Sequence, residues 1–90
     1  METFESSLGT VELTKERKNH ILTFHPEVKN FIKDFPRALR QPDAVKKSKF
    51  DAQVYIFYRQ VKQKFLAIVV KTNHRRFILT AYVTNKLHSL

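Results

Sequence analysis

Ninety residues make one domain, and 42% apolar content with a single glycine and three prolines excludes a low-complexity or disordered chain. With no cysteine, disulfides, thiolate chemistry and cysteine-based zinc sites are excluded as well. Seventeen Lys and Arg against eight Asp and Glu give a net charge of +9, which predicts polyanionic partners such as RNA, DNA or an acidic protein.

Residues 1–9 are acidic and polar, lack periodicity and end at the only glycine, Gly9; they are expected to be a tail or a loose leading strand before a single domain over 10–90. They carry neither the positive n-region nor the apolar h-region of a signal peptide. No stretch approaches the roughly 20 apolar residues that span a bilayer, and none has an apolar face rimmed by Lys and Arg, so a cytoplasmic protein without a membrane partner is expected. Val11 and Leu13 alternate with polar neighbours, as in a short strand.

Thr14 then suits an N-cap, with Glu16 in the first turn where the helix dipole favours an acid, and a helix is expected over Lys15–Phe24. On it Arg17, His20 and Phe24 share a face, with Ile21 beside them. Pro26 restarts the chain in helical geometry. Val28, Phe31, Ile32, Phe35 and Leu39 follow helical spacing, and Pro36 kinks or breaks this second helix. Gln41-Pro42-Asp43 closes the helical half.

The remainder is β-rich. An edge strand is expected over 44–48, a β-branched and aromatic strand over 54–61, and an apolar central strand over 65–70. A last strand over 76–84 alternates, with Phe77, Leu79, Ala81 and Val83 on one side and Ile78, Thr80, Tyr82 and Thr84 on the other. Short polar linkers join the last three strands, so an antiparallel meander follows. The expectation is an α+β fold, with N-terminal helices packed on one face of a four-stranded antiparallel sheet.

RNA is cut without metal when its own 2′-hydroxyl attacks the adjacent phosphate. That reaction needs groups to take and give protons, and charge to stabilise the phosphorane. His20 suits the proton transfer, Arg17 the phosphate, and the hydroxyls of Thr80 and Tyr82 the non-bridging oxygens. Arg59, Lys71, Arg75 and Arg76, with Tyr58 and other aromatics interleaved, fit a surface gripping single-stranded RNA, and Lys46, Lys47 and Lys49 add sequence-blind attraction. His20 and His25, five apart, point roughly 140° apart on a helix and have no acidic cluster, so neither a metal nor any other cofactor is expected.

Arg17-x-x-His20-Ile21, His25-Pro26-Glu27, Pro42-Asp43-x-Val45, Tyr58-Arg59 and Phe77-Ile78-x-Thr80-Ala81-Tyr82, taken in order over residues 11–87, form a recognisable series. With it the chain resembles the phage and mobile-element nuclease domains of the barnase, EndoU, colicin tRNase and RelE-like superfamily. The resemblance implies a barnase- or RelE-like fold and a toxin-type, metal-independent endoribonuclease acting on tRNA or mRNA and leaving a 2′,3′-cyclic phosphate. His20, Arg17, Thr80 and Tyr82 would be catalytic, and Arg59, Tyr58, Lys71, Arg75, Arg76 and His25 would bind RNA. Two other readings use the same residues: an RNA-binding module without catalysis, and an interaction domain for an acidic antitoxin or immunity protein.

Overall fold

A computed structural model describes residues 1–85; residues 86–90, the end of the expected domain, lie outside the described residues. In chain order it has strands β1 (Glu2–Ser6) and β2 (Gly9–Leu13), helix α1 (Lys15–Phe24), a 3-10 segment (Pro26–Asp34) and helix α2 (Phe35–Arg40). Strands β3 (Ala44–Lys47), β4 (Val54–Val61), β5 (Lys64–Thr72) and β6 (Arg76–Thr84) follow. No helix among the described residues is long and apolar enough to cross a membrane.

All six strands form one sheet in the order β1-β2-β6-β5-β4-β3. The expected four-stranded antiparallel sheet is thereby corrected: the sheet has six strands and is mixed, because β2 runs parallel to β6 through the pair Glu12 and Phe77. Of the tail or loose leading strand expected over residues 1–9, the structure has a strand, and it is paired rather than loose. Glu2–Ser6 folds back on β2 in full register, from Glu2 opposite Leu13 to Ser6 opposite Gly9. Ser6 Oγ donates to the Gly9 carbonyl at 2.6 Å and accepts from the Leu8 N–H at 3.0 Å, which ties off the hairpin turn. Gly9 holds φ +109°, a conformation that side chains rarely adopt, and a Cβ there would lie 2.7 Å from the Arg76 guanidinium.

Helix α1 begins as its sequence dictates, with Thr14 Oγ1 accepting from the Arg17 N–H at 3.1 Å. The second helical stretch divides at Phe35–Pro36: a 3-10 segment up to Asp34, then one and a half turns of α-helix with proline in the first turn. Val28, Phe35, Ala38 and Leu39 from these pieces close on Phe57, Leu66, Ile68, Val70, Ile78 and Ala81 of the sheet. The opposite face carries a second cluster, Val54, Ile56, Tyr58, Ala67 and Val69, against which Phe65, Leu79 and Tyr82 pack.

Strand β6 does not alternate simply. Val69 pairs with Thr80 but Val70 with Ile78, so Leu79 is an extra residue, a β-bulge. It corrects the expected facing: Ile78 lies on the same side as Ala81 and Val83, whereas Leu79 joins Tyr82 on the other.

Candidate functional site at the α1–β6 seam

Beyond its single pair with β6, β2 gives way to α1, and the chain continues beside β6 as a helix. Glu12 is level with Phe77, Arg17 reaches Leu79, and His25 reaches Tyr82. The lengths agree: eight residues of helix rise about 12 Å and three residues of strand about 10 Å. Helix and strand therefore run in step, and the middle of α1, at His20 and Ile21, is level with Thr80 and Ala81.

Arg17 has a defined task in this seam. Its Nε and Nη2 donate to the Leu79 carbonyl oxygen at 3.0 and 2.5 Å. The bulge takes Leu79 out of register with β5, and the guanidinium fork takes up its oxygen. Arg17 thus fastens the helix to the strand, and the donors left over from that fork are the ones that remain for a ligand.

His20 is half-buried, its ring 4.8 Å from that of Phe24, which is 67% exposed. The histidine that meets Tyr82 is His25, with ring centroids 6.1 Å apart. Its backbone caps α1, the N–H donating to the Ile21 carbonyl at 2.7 Å. Its Nδ1 lies 3.8 Å from Glu27 Oε2, too long for a hydrogen bond but an ion pair once the ring is protonated. His25 is expected among the RNA-binding residues; its proximity to the Tyr82 ring makes it a second proton-transfer candidate. The signal was present in the His25-Pro26-Glu27 triplet, because a proline restart fixes both the histidine and the acid two residues on.

Thr80 and Tyr82 lie on the same sheet face, opposite Val69 and Ala67. Thr80 Oγ1 is buried and has no hydrogen-bond partner among the described residues. A buried hydroxyl without a partner is a poor stabilising choice, since its desolvation is uncompensated.

A groove adjoins the seam where Glu27 and Val83 line it. Phe31, Lys62 and Lys64 form its other walls, around a cavity of about 730 Å3. It continues past Phe31, Val61 and Lys62 into a second hollow of about 310 Å3 edged by Lys33, Arg37 and Arg59. Lys62 holds φ +57°, left-handed for a residue with a Cβ, at the two-residue turn between β4 and β5. Arg59 Nη1 donates to the Gln41 carbonyl at 2.7 Å, which sets the guanidinium at the rim of the hollow.

The other expected RNA contacts are distributed differently. Tyr58 is fully buried, so it offers no face to a base, and its expected stacking role is corrected. Its place on β4 in the second apolar cluster explains this, because it fills the space beside Ile56 and Ala67. Lys71 sits 3.4 Å from Asp51. Arg75 bonds Glu12 at 2.6 Å and Arg76 Nε donates to the Thr10 carbonyl at 3.1 Å, so both fasten β2 to β6. Comparison with protein-family models, with curated proteins and with solved structures gives no significant match.

Proposed function

We propose that the chain is a metal-independent endoribonuclease whose reaction takes place at the α1–β6 seam. The observation that carries the reading is the convergence there of His25 on Tyr82, with His20 and the unpaired Thr80 hydroxyl in step between that pair and Arg17. One imidazole would take the proton from the 2′-hydroxyl as its oxygen attacks the phosphorus. The other would give a proton to the departing 5′-oxygen, leaving a 2′,3′-cyclic phosphate. The remaining Arg17 donors and the Tyr82 hydroxyl would face the added negative charge of the phosphorane, and the buried Thr80 hydroxyl would reach it only through a small local opening. The groove edged by Lys62, Lys64, Arg37 and Arg59 suits the RNA on one side of the cut, with sequence-blind phosphate contacts.

The test is incubation with total tRNA and mRNA in excess EDTA, beside His20→Ala and His25→Ala. Cyclic phosphate ends produced by the parent chain and lost in a folded histidine variant support the reading. Intact RNA with a salt-sensitive mobility shift overturns it.

That second outcome corresponds to an RNA-binding module, which two observations favour: the Arg17 fork already holds a backbone carbonyl, and the His20 ring is paired at a tilt with Phe24. An acidic antitoxin or immunity protein would compete for the same basic groove under either reading.

A further inference from the structure

The loop from β3 to β4 reads Ser48-Lys49-Phe50-Asp51-Ala52-Gln53, and Phe50 is 91% exposed. A lone exposed apolar side chain is ordinary on a protein surface, and would mean nothing on a slack loop. This loop is tied at nearly every residue. Ser48 N–H donates to the Val54 carbonyl at 2.9 Å and Val54 N–H to the Asp51 carbonyl at 3.0 Å. Ser48 Oγ accepts from the N–H groups of both Phe50 and Asp51, at 3.1 and 3.3 Å. Gln53 N–H donates to Asp51 Oδ1 at 2.9 Å, and that bond is the leading reason the Asp51 carboxyl is held below its ordinary range. Thr72 then anchors the loop to β5, its N–H and Oγ1 both donating to the Gln53 carbonyl at 2.7 and 2.9 Å.

The backbone on both sides of Phe50 is therefore fixed, and the ring is displayed in water by the geometry of its own loop. Lys46, Lys47 and Lys49 lie within four residues of it in the chain, and none of the three is in an ion pair among the described residues. We propose that Phe50 is a stacking post for a base of single-stranded nucleic acid, with these lysines on the flanking phosphates. Stacking on an aromatic face combined with backbone charge is the way such strands are held irrespective of sequence. A lipid surface fits less well. Membrane loops present several apolar residues together, and here the neighbours of Phe50 are Lys49, Asp51, Ala52 and Gln53. The proposal stands apart from the seam and does not require cleavage.

The chain contains no tryptophan, so Phe50→Trp introduces a single indole reporter at this position. The probe is a short 2′-O-methyl oligonucleotide, which lacks the attacking hydroxyl and stays intact whatever the seam does. Its addition is expected to quench the indole emission, whereas an abasic strand of equal length is expected to bind without quenching. Phe50→Ala should weaken oligonucleotide binding about fivefold or more, with the thermal midpoint unchanged, and leave abasic-strand binding as it was. Equal quenching by the abasic strand, or equal affinity in Phe50→Ala, overturns the proposal. A blue shift with phosphatidylserine vesicles and none with the oligonucleotide would overturn it in favour of a membrane contact. Because the 2′-O-methyl strand cannot be cleaved, failure of the cleavage reading and failure of this one are separable.

Discussion

The two ends of β6 carry similar polar chemistry and use it in opposite ways. At its start, Arg75 and Arg76 are engaged at the surface by the chain's own groups, one on Glu12 and the other on the Thr10 backbone beside Gly9. Past the bulge, Tyr82 meets His25 at the end of α1, and the Thr80 hydroxyl has no partner among the described residues. In the sequence both ends look functional, the arginines as RNA contacts and Thr80 and Tyr82 as catalytic hydroxyls. The difference teaches that basic residues mark a polyanion surface only after those that hold the fold together have been subtracted.

The largest test of this contrast is kinetic. His25→Ala should lower metal-free RNA cleavage by about 100-fold or more with the thermal midpoint unchanged, while Arg75→Ala with Arg76→Ala keeps the rate at saturating RNA. If the arginine pair abolishes cleavage and the histidine does not, the two ends have been assigned the wrong way round. Arg17 belongs to both worlds. Arg17→Ala should reduce stability in urea by about 2 kcal/mol, because its charged fork holds the Leu79 oxygen; Arg17→Lys should recover only part, having no fork.

Gly9→Ala asks for a left-handed alanine pressed against the Arg76 guanidinium, and a loss of about 1–2 kcal/mol is expected by thermal unfolding. Thr80→Val has the opposite sign. Removing the partnerless hydroxyl at nearly constant shape should leave stability unchanged or raise it by about 1 kcal/mol, while cleavage falls. A loss of both together would mean the hydroxyl serves the fold. The smallest effect belongs to Arg75→Ala, whose exposed pair with Glu12 should contribute less than about 1 kcal/mol and fade in high salt.

Local signals were well expressed in the sequence. The Thr14 cap, the extent of α1, the division of the second helical stretch at Phe35–Pro36 and the bounds of β4 and β6 follow from capping, proline and periodicity. What failed was non-local. Glu2–Ser6 contains one apolar residue, Phe4, and becomes a strand by pairing with β2 and setting Phe4 beside Phe35, which no local pattern announces. The parallel contact of β2 with β6 joins residues 65 positions apart through a single pair. The bulge at Leu79 left no mark in composition, so the facing of Ile78 was read one residue out of phase. Arg17 and His20 were legible as a polar helical stripe, but that His25 is the histidine to reach Tyr82 depends on where α1 ends.

The bulge also has a mechanical side. A bulge bends its strand and sharpens the local twist, so the two halves of β6 leave that point in different directions. Helix α1 is tethered at that very place, through Arg17 on the Leu79 oxygen. The bend and the tether coincide, so the angle at which α1 lies along β6 is set at Leu79, while the pairs from Thr80 to Thr84 with β5 continue in register beyond it.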